Sequence, residues 1–268
     1  MKRLLIAGCG DLGIRLAATL DADQWQVTGL RRNAGALPDG ISAVGANLLE
    51  PDTLTAVAGH WDGLVYQATP GERSPEGYRQ AYVQGLANIL AQTQADRLIF
   101  VSSTAVYGQD QGQWVDEDAE TVPAAFNGRV MLEAERMALD AGASVVRFSG
   151  IYGPGRDYLL RLVASGQARC RAEPPQWTNR IHADDCARVL AHVLDHPDPA
   201  PVYCASDSMP VPRCQVLEWL SEQLGVAAPS RDDDGGGQGK RVSNRRLLAS
   251  GYDFLYSDFK SGYGAMLT

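Results

Sequence analysis

Lysine is nearly missing from this chain. Of its 268 residues only Lys2, Lys240 and Lys260 are lysines. No ammonium group therefore lies in the first half beyond Lys2. Cysteine is sparse and unpatterned: Cys9, Cys170, Cys186, Cys204 and Cys214. No two are spaced Cys-x-x-Cys, and the four histidines form no ligand cluster. This predicts reduced, packed thiols, with neither a metal nor a disulfide. Long apolar runs are missing as well, and nothing approaches the roughly eighteen residues of a membrane span. The opening MKRLLIAGCG is too short an apolar run for a secretion signal, so a cytoplasmic location is expected. Net positive charge is also lacking: the formal charge is −8 and the pI is near 5.0. Nucleic acid and anionic membrane both need a positive field, so neither is an expected partner. A few arginines in one cleft can still reverse the local sign, which leaves an anionic small molecule open.

What is present is an alternation of short apolar runs with amphipathic stretches, the pattern of repeated strand–helix–strand units. Strands are expected at 3–7, 26–30, 63–68, 97–102 and 144–148. Helices are expected at 12–20, 78–94 and 129–141, with a helical stretch at 54–58. Parallel strands joined this way give right-handed crossovers and a doubly wound α/β sheet, a Rossmann fold. The strand-end loops after 7, 30, 68, 102 and 148 should then converge on one ligand. The expected division is a dinucleotide-binding domain over 1–150 and a small C-terminal substrate lobe over 151–268. The second part returns elements to the core, and 216–224 is its clearest helix. Within it, 230–239 reads as a mobile loop, and the run Asp232-Asp233-Asp234 as solvated charge rather than a metal site.

Gly8-Cys9-Gly10-Asp11-Leu12-Gly13 follows the first strand and opens the first helix. The first glycine allows a tight turn, the second admits a pyrophosphate, and the third lets helix and strand pack closely. Exposed N–H groups and the helix dipole favour phosphate there. At the end of the second strand, where an acid usually takes the ribose hydroxyls, the chain has Arg31-Arg32. Two guanidinium groups and no carboxylate favour a 2′-phosphate, hence NADP over NAD.

Four further segments carry a resemblance. Ser102-Ser103-Thr104-Ala105-Val106-Tyr107-Gly108, Gly150-Ile151-Tyr152-Gly153-Pro154-Gly155-Arg156, Arg180-Ile181-His182-Ala183-Asp184-Asp185 and Val202-Tyr203-Cys204-Ala205 occur in order. Together with the glycine loop they resemble the extended short-chain dehydrogenases/reductases of the epimerase/dehydratase type. The resemblance implies a serine, matched by Ser103, and a Tyr-x-x-x-Lys pair that moves the proton. That pair is absent. Its positions hold Asn127 and Met131, which have neither a proton that titrates near neutrality nor a charge. The chain's one Tyr-x-x-x-Lys string, Tyr256 to Lys260, is read as a chance match. The chain thus resembles an atypical member of the group.

From this resemblance the catalytic candidates are Ser103 and Tyr107. The cofactor set is Gly8, Gly10, Asp11, Leu12, Gly13, Arg31, Arg32, Asn47, Leu48, Ala68, Thr69, Ser102, Asn127, Phe148 and Ile151. The substrate set is Thr104, Tyr152, Arg156, Arg180 and His182, with salt bridges to Asp157, Asp184 or Asp185 as the other use of the two arginines. Two functions stay open. One is an NADP-dependent oxidoreductase or epimerase-like enzyme with a small, polar or nucleotide-linked substrate and non-standard acid/base residues. The other is a catalytically silent NADP sensor or regulatory module. The resemblance also implies a homodimer through the helices at 78–94 and 127–141.

Overall fold

The computed structural model describes residues 1–171, 173–231 and 236–267. Asp232-Asp233-Asp234 lies outside the described residues. In chain order the elements are β1 (Lys2–Ala7), α1 (Asp11–Thr19), β2 (Trp25–Arg31), β3 (Ser42–Gly45), β4 (Gly59–Tyr66), α2 (Pro75–Tyr78), α3 (Gly85–Gln92), β5 (Thr93–Ser103), β6 (Gln111–Val115), α4 (Phe126–Asp140), β7 (Ser144–Phe148) and β8 (Gly150–Tyr152). They continue with α5 (Tyr158–Ala164), β9 (Arg169–Cys170), β10 (Trp177–Thr178), β11 (Arg180–His182), α6 (Ala183–Asp195), β12 (Val202–Ala205), β13 (Val211–Pro212), α7 (Arg213–Leu224), β14 (Ser230–Arg231), β15 (Gly239–Val242), α8 (Arg245–Ala249) and α9 (Phe259–Leu267).

Two compact units share these elements. Unit 1 is Met1–Tyr107, Thr121–Arg147 and Cys186–Tyr203; unit 2 is Gly108–Glu120, Phe148–Asp185 and Cys204–Thr268. Unit 1 carries the body of a seven-stranded sheet in the order β12-β7-β5-β4-β1-β2-β3. The pairs β1–β2, β1–β4, β2–β3 and β4–β5 are parallel. Leu4 to Ala7 of β1, Gly63 to Tyr66 of β4 and all of β7 are buried. Strands covered on both faces read as unbroken apolar runs, which is why 3–7 and 144–148 stood out in the sequence. Unit 2 has a four-stranded sheet, β13-β10-β15-β6, and the parallel pair β8–β11. Among the described residues no helix is long and apolar enough to cross a membrane.

Two expectations need correction. The helix at 78–94 is not one regular helix. It runs as α2, a wide π-turn over Arg79–Gln84, and α3. The Tyr66 hydroxyl donates to the carbonyl of Ala81 inside that π-turn, and a Cβ on Gly85 would sit 2.5 Å from the same hydroxyl. A side chain inserted into the ladder is a known cause of such a turn, and periodicity does not reveal it. The helix also stops at Gln92, because Thr93 already has extended backbone and begins β5.

The second correction concerns the thiols. Cys170 and Cys214 form a disulfide across 44 residues, with Cα atoms 5.2 Å apart. Spacing rules see local pairs, whereas this pair is made when the first turn of α7 packs on β9. Cys9, Cys186 and Cys204 are buried thiols outside this disulfide. Denatured without reductant, the chain should titrate three thiols, and five after reduction. Reduction should lower stability by roughly 2–4 kcal/mol in urea unfolding, the range for closing loops of this size. Five thiols before reduction would overturn the pairing.

Candidate functional site

The carboxyl ends of β1, β2 and β4 surround a cavity of about 390 Å³ in unit 1. Its first wall is Gly8, Cys9 and Gly10. Gly8 has φ +84°, and a Cβ there would fall 2.7 Å from Ala68 Cα, so the loop lies directly on the end of β4. Only glycine meets both demands. A Cβ at Gly10 would meet nothing nearer than 3.9 Å, which leaves the space above it open. Gly10 is also the N-cap of α1 and gives no side-chain cap. The first N–H groups of a nine-residue helix thus lack a side-chain cap where the cavity begins. Burial pushes the Cys9 thiol up to about 11 despite nearby Arg31, so it is no nucleophile at neutral pH.

The opposite wall holds Arg31 and Arg32, with Asn47, Leu48, Ala68 and Thr69 closing the sides. These were all read from the sequence. Asn33, Leu49, Gly77, Gln80 and Ala81 line the same cavity and were missed. Asn33 adjoins the arginine pair and had a sequence signal. Gly77, Gln80 and Ala81 sit in α2 and the π-turn, which no motif marks.

Other expected cofactor residues do not line this cavity. Asp11 opens α1 and pairs with Arg15 at 3.0 Å. Leu12 and Gly13 face inward, and a Cβ on Gly13 would strike the Gln67 amide, so its role is helix–strand packing. Ser102 is 4% exposed and donates to Glu135 Oε1 at 2.5 Å. Asn127 is half-buried at the start of α4. Phe148 is buried at the end of β7, and Ile151 is half-buried in β8.

Ser103 and Thr104 are half-buried in the turn that follows β5. Ser103 Oγ accepts the N–H of Ala105 at 3.2 Å, which leaves its proton free to donate. The next residue after Asn127, Gly128, presses on the carbonyl of Ala105, and its Cβ would lie 2.6 Å from Pro123. Any larger residue there would lift α4 off the serine turn.

Tyr107 has a different surrounding from the one a proton donor needs. It is 2% exposed, and its hydroxyl accepts from Arg147 Nη1 at 2.7 Å. Arg147 also holds Glu135 with Nη2 to Oε2 at 2.7 Å and Nε to Oε1 at 2.9 Å. Glu135 lies on the buried face of α4 with Met131, Ala134 and Ala138. Burial alone would lower the Arg147 pKa, but the Glu135 and Tyr107 contacts outweigh it and hold it above the ordinary value. Glu135 and Arg147 were absent from the expected site. A glutamate on an apolar helix face and an arginine within an apolar strand were the available signals, since each needs a partner.

In unit 2, Arg156 is exposed in the loop after β8. Tyr152, Arg180 and His182 are instead interior, at 3%, 5% and 2% exposure. Arg180 makes none of the expected salt bridges, because Asp185 is taken by the Tyr252 hydroxyl and the N–H groups of Leu255 and Tyr256. Asp157 pairs with Arg161. Tyr256 precedes α9 while Lys260 lies within it, so the two do not share a helix face.

Comparison with known proteins places these observations. The sequence profile of the RmlD substrate binding domain matches residues 1–207. Protein YeeZ of Escherichia coli K12 is 30% identical over 96% of this chain and 97% of its own length. A 3-diazoavenalumate denitrifying reductase of a Streptomyces species is 28% identical over 85% of this chain and 83% of that protein. A structure from Methylobacillus flagellatus, provisionally named an NAD-dependent epimerase/dehydratase, is 40% identical, covers 99% of this chain and 97% of that chain, and superposes with a TM-score of 0.85.

Removing one partner of the buried pair should be costly. Arg147→Met leaves Glu135 uncompensated and should lower stability by about 3–5 kcal/mol. Tyr107→Phe should cost about 1–2 kcal/mol. Urea unfolding measures both, and an Arg147→Met loss under about 1 kcal/mol would show that the pair anchors nothing.

Proposed function

The chain belongs to the RmlD substrate-binding family, within the extended short-chain dehydrogenases/reductases, and on that premise we propose that it is an NADP-dependent oxidoreductase for a small polar carbonyl or alcohol. The observation that carries the reading is the single cavity in which a glycine loop, an uncapped helix N-terminus and an arginine pair meet without a carboxylate at the end of β2. Pyrophosphate suits the loop and helix end, and a 2′-phosphate suits the two guanidinium groups. The names of two relatives, a reductase and an NAD-dependent epimerase/dehydratase, support a nicotinamide dinucleotide.

When bound, that cofactor supplies or removes a hydride. The chain's own residues have narrower tasks. Ser103 Oγ, fixed by Ala105, donates to the substrate oxygen and orients it. Asn127 offers an amide beside this turn, able to hold a ribose hydroxyl or a water. Neither it nor Met131 titrates near neutrality, so the proton must come from water ordered by Ser103 or Thr104. Tyr107 is given no donor role in this reading, because its side chain is 2% exposed and packed beside Arg147.

A silent NADP-binding module is the second reading, favoured by the loss of both Tyr and Lys at the positions of Asn127 and Met131. NADPH fluorescence on binding, with NADH as control, separates cofactor preference from catalysis. Arg31→Ala with Arg32→Ala should weaken NADPH by roughly tenfold to a hundredfold, as expected for charge-assisted bonds, and leave NADH nearly unchanged. Equal NADH and NADPH affinity in the unmodified chain would refute the role of the arginines. If a panel of carbonyl compounds and nucleotide sugars gives turnover, Ser103→Ala should reduce it at least tenfold. Tight binding without turnover on the whole panel would favour the silent module.

A further inference from the structure

Besides Gln109 Oε1, three buried side-chain atoms among the described residues of unit 2 have no hydrogen-bond partner: Tyr152 Oη, Arg180 Nη1 and Asp207 Oδ2. Their residues are 3%, 5% and 1% exposed. They converge from three segments. Tyr152 and Arg180 come from the paired strands β8 and β11. Asp207 follows β12, and its N–H donates to the carbonyl of Arg180 at 2.7 Å. The remaining polar atoms are partly spoken for: Arg180 Nη2 donates to Thr178 Oγ1 at 2.5 Å, and Asp207 Oδ1 accepts from the N–H of Met209 at 3.2 Å.

The C-terminal helix closes this place. Tyr263 of α9 stacks on Tyr152 with ring centroids 4.3 Å apart. Gly262 lies against the Tyr152 hydroxyl so closely that no side chain fits. Phe259 sits under the Arg180 guanidinium at 5.5 Å. An orphaned guanidinium, carboxylate and phenol side by side would each cost free energy if left dry. A guanidinium N–H that needs an acceptor, a carboxyl oxygen that donates when protonated and accepts when ionised, and a hydroxyl able to serve either way match a single water. Buried waters typically make about three such bonds.

We propose that Tyr152, Arg180 and Asp207 enclose one internal water, and that this site fastens α9 in a proton-dependent way. The proton belongs to Asp207. Burial pushes its carboxyl up to about 7, with Arg180 opposing in part and Asp258 and Asp185 adding to the rise. Arg213, at the start of α7, adds positive charge near Arg180, whose own pKa burial lowers. Tyr263 and Tyr152 complete the ring of titratable neighbours, and burial raises both. His182 is packed against Tyr152 and Tyr256 in the same layer. The sign follows from linkage. With α9 seated, Asp207 keeps its proton to near neutrality; with α9 lifted and water admitted, it ionises near its ordinary value. Seating is therefore strongest at low pH, weakens as pH rises toward about 7, and levels off above.

Hydrogen exchange of the α9 amides, corrected for intrinsic rates, tests this in the full chain. Protection should fall about tenfold per pH unit between about pH 5 and 7 and flatten beyond. Asp207→Asn should remove the slope. A slope that survives in Asp207→Asn, or no slope in the unmodified chain, ends the proposal. Should Asp207→Asn fail to fold, the infrared carbonyl band of a protonated carboxyl serves in the unmodified chain. It should persist at about pH 6, where ordinary carboxyls are ionised, and vanish by about pH 8. Its absence at the lower pH would overturn the proposal. A crystal structure should show one water in reach of all three atoms; a dry site, or a direct Arg180–Asp207 pair, would overturn that part.

Discussion

The ion pair between Glu135 and Arg147 organises the half of unit 1 that carries the serine turn. It joins the middle of α4 to β7, and through Ser102 it reaches β5. Through Tyr107 it also fixes the chain just after the serine turn. Four buried polar groups satisfy one another here, which is the condition under which such a network rigidifies rather than weakens a core. Gly128 then lets the start of α4 rest on the carbonyl of Ala105. The position of Ser103 and Asn127 relative to each other is a consequence of these contacts, not of either residue alone.

The same network anchors α4 at Glu135, one and two turns beyond Met131 and Asn127. In an i, i+4 series along α4, Asn127, Met131 and Glu135 share one face. The third of these carries the charge that ties the helix to Arg147. Met131 is buried, at 6% exposure, and packs as an apolar residue would. A lysine there would need its ammonium solvated or paired.

The sequence showed β1, β2, β4, β5 and β7 within a few residues, because strands buried on both faces announce themselves as apolar runs bounded by turns, whereas the short and largely exposed β3 was missed. The glycine loop and the arginine pair were legible for the same reason: each is a local pattern with a local physical cause. What was not legible is what depends on distant partners. Cys170 finds Cys214 only when β9 and α7 meet. Tyr66 opens the π-turn from another element. Tyr107 and Arg180 looked like site residues because their segments resemble functional loops, and only their surroundings show a hydroxyl held by arginine and a guanidinium inside the core.

Arg180 and Arg31 make the distinction physical. Both are arginines close to strand ends, and both were read as anion binders. Arg31 and its neighbour Arg32 line an open cavity, where water can stabilise the charge. Arg180 is 5% exposed beside Asp207, Tyr152 and the ring of Phe259, where an anion would also have to displace a carboxylate. A guanidinium at the rim of a cavity is available to bind; one sealed beside an aspartate contributes to seating the helix above it. The β2 end of unit 1 is therefore where this chain keeps guanidinium groups at an open cavity, while the buried arginine of unit 2 serves the fold.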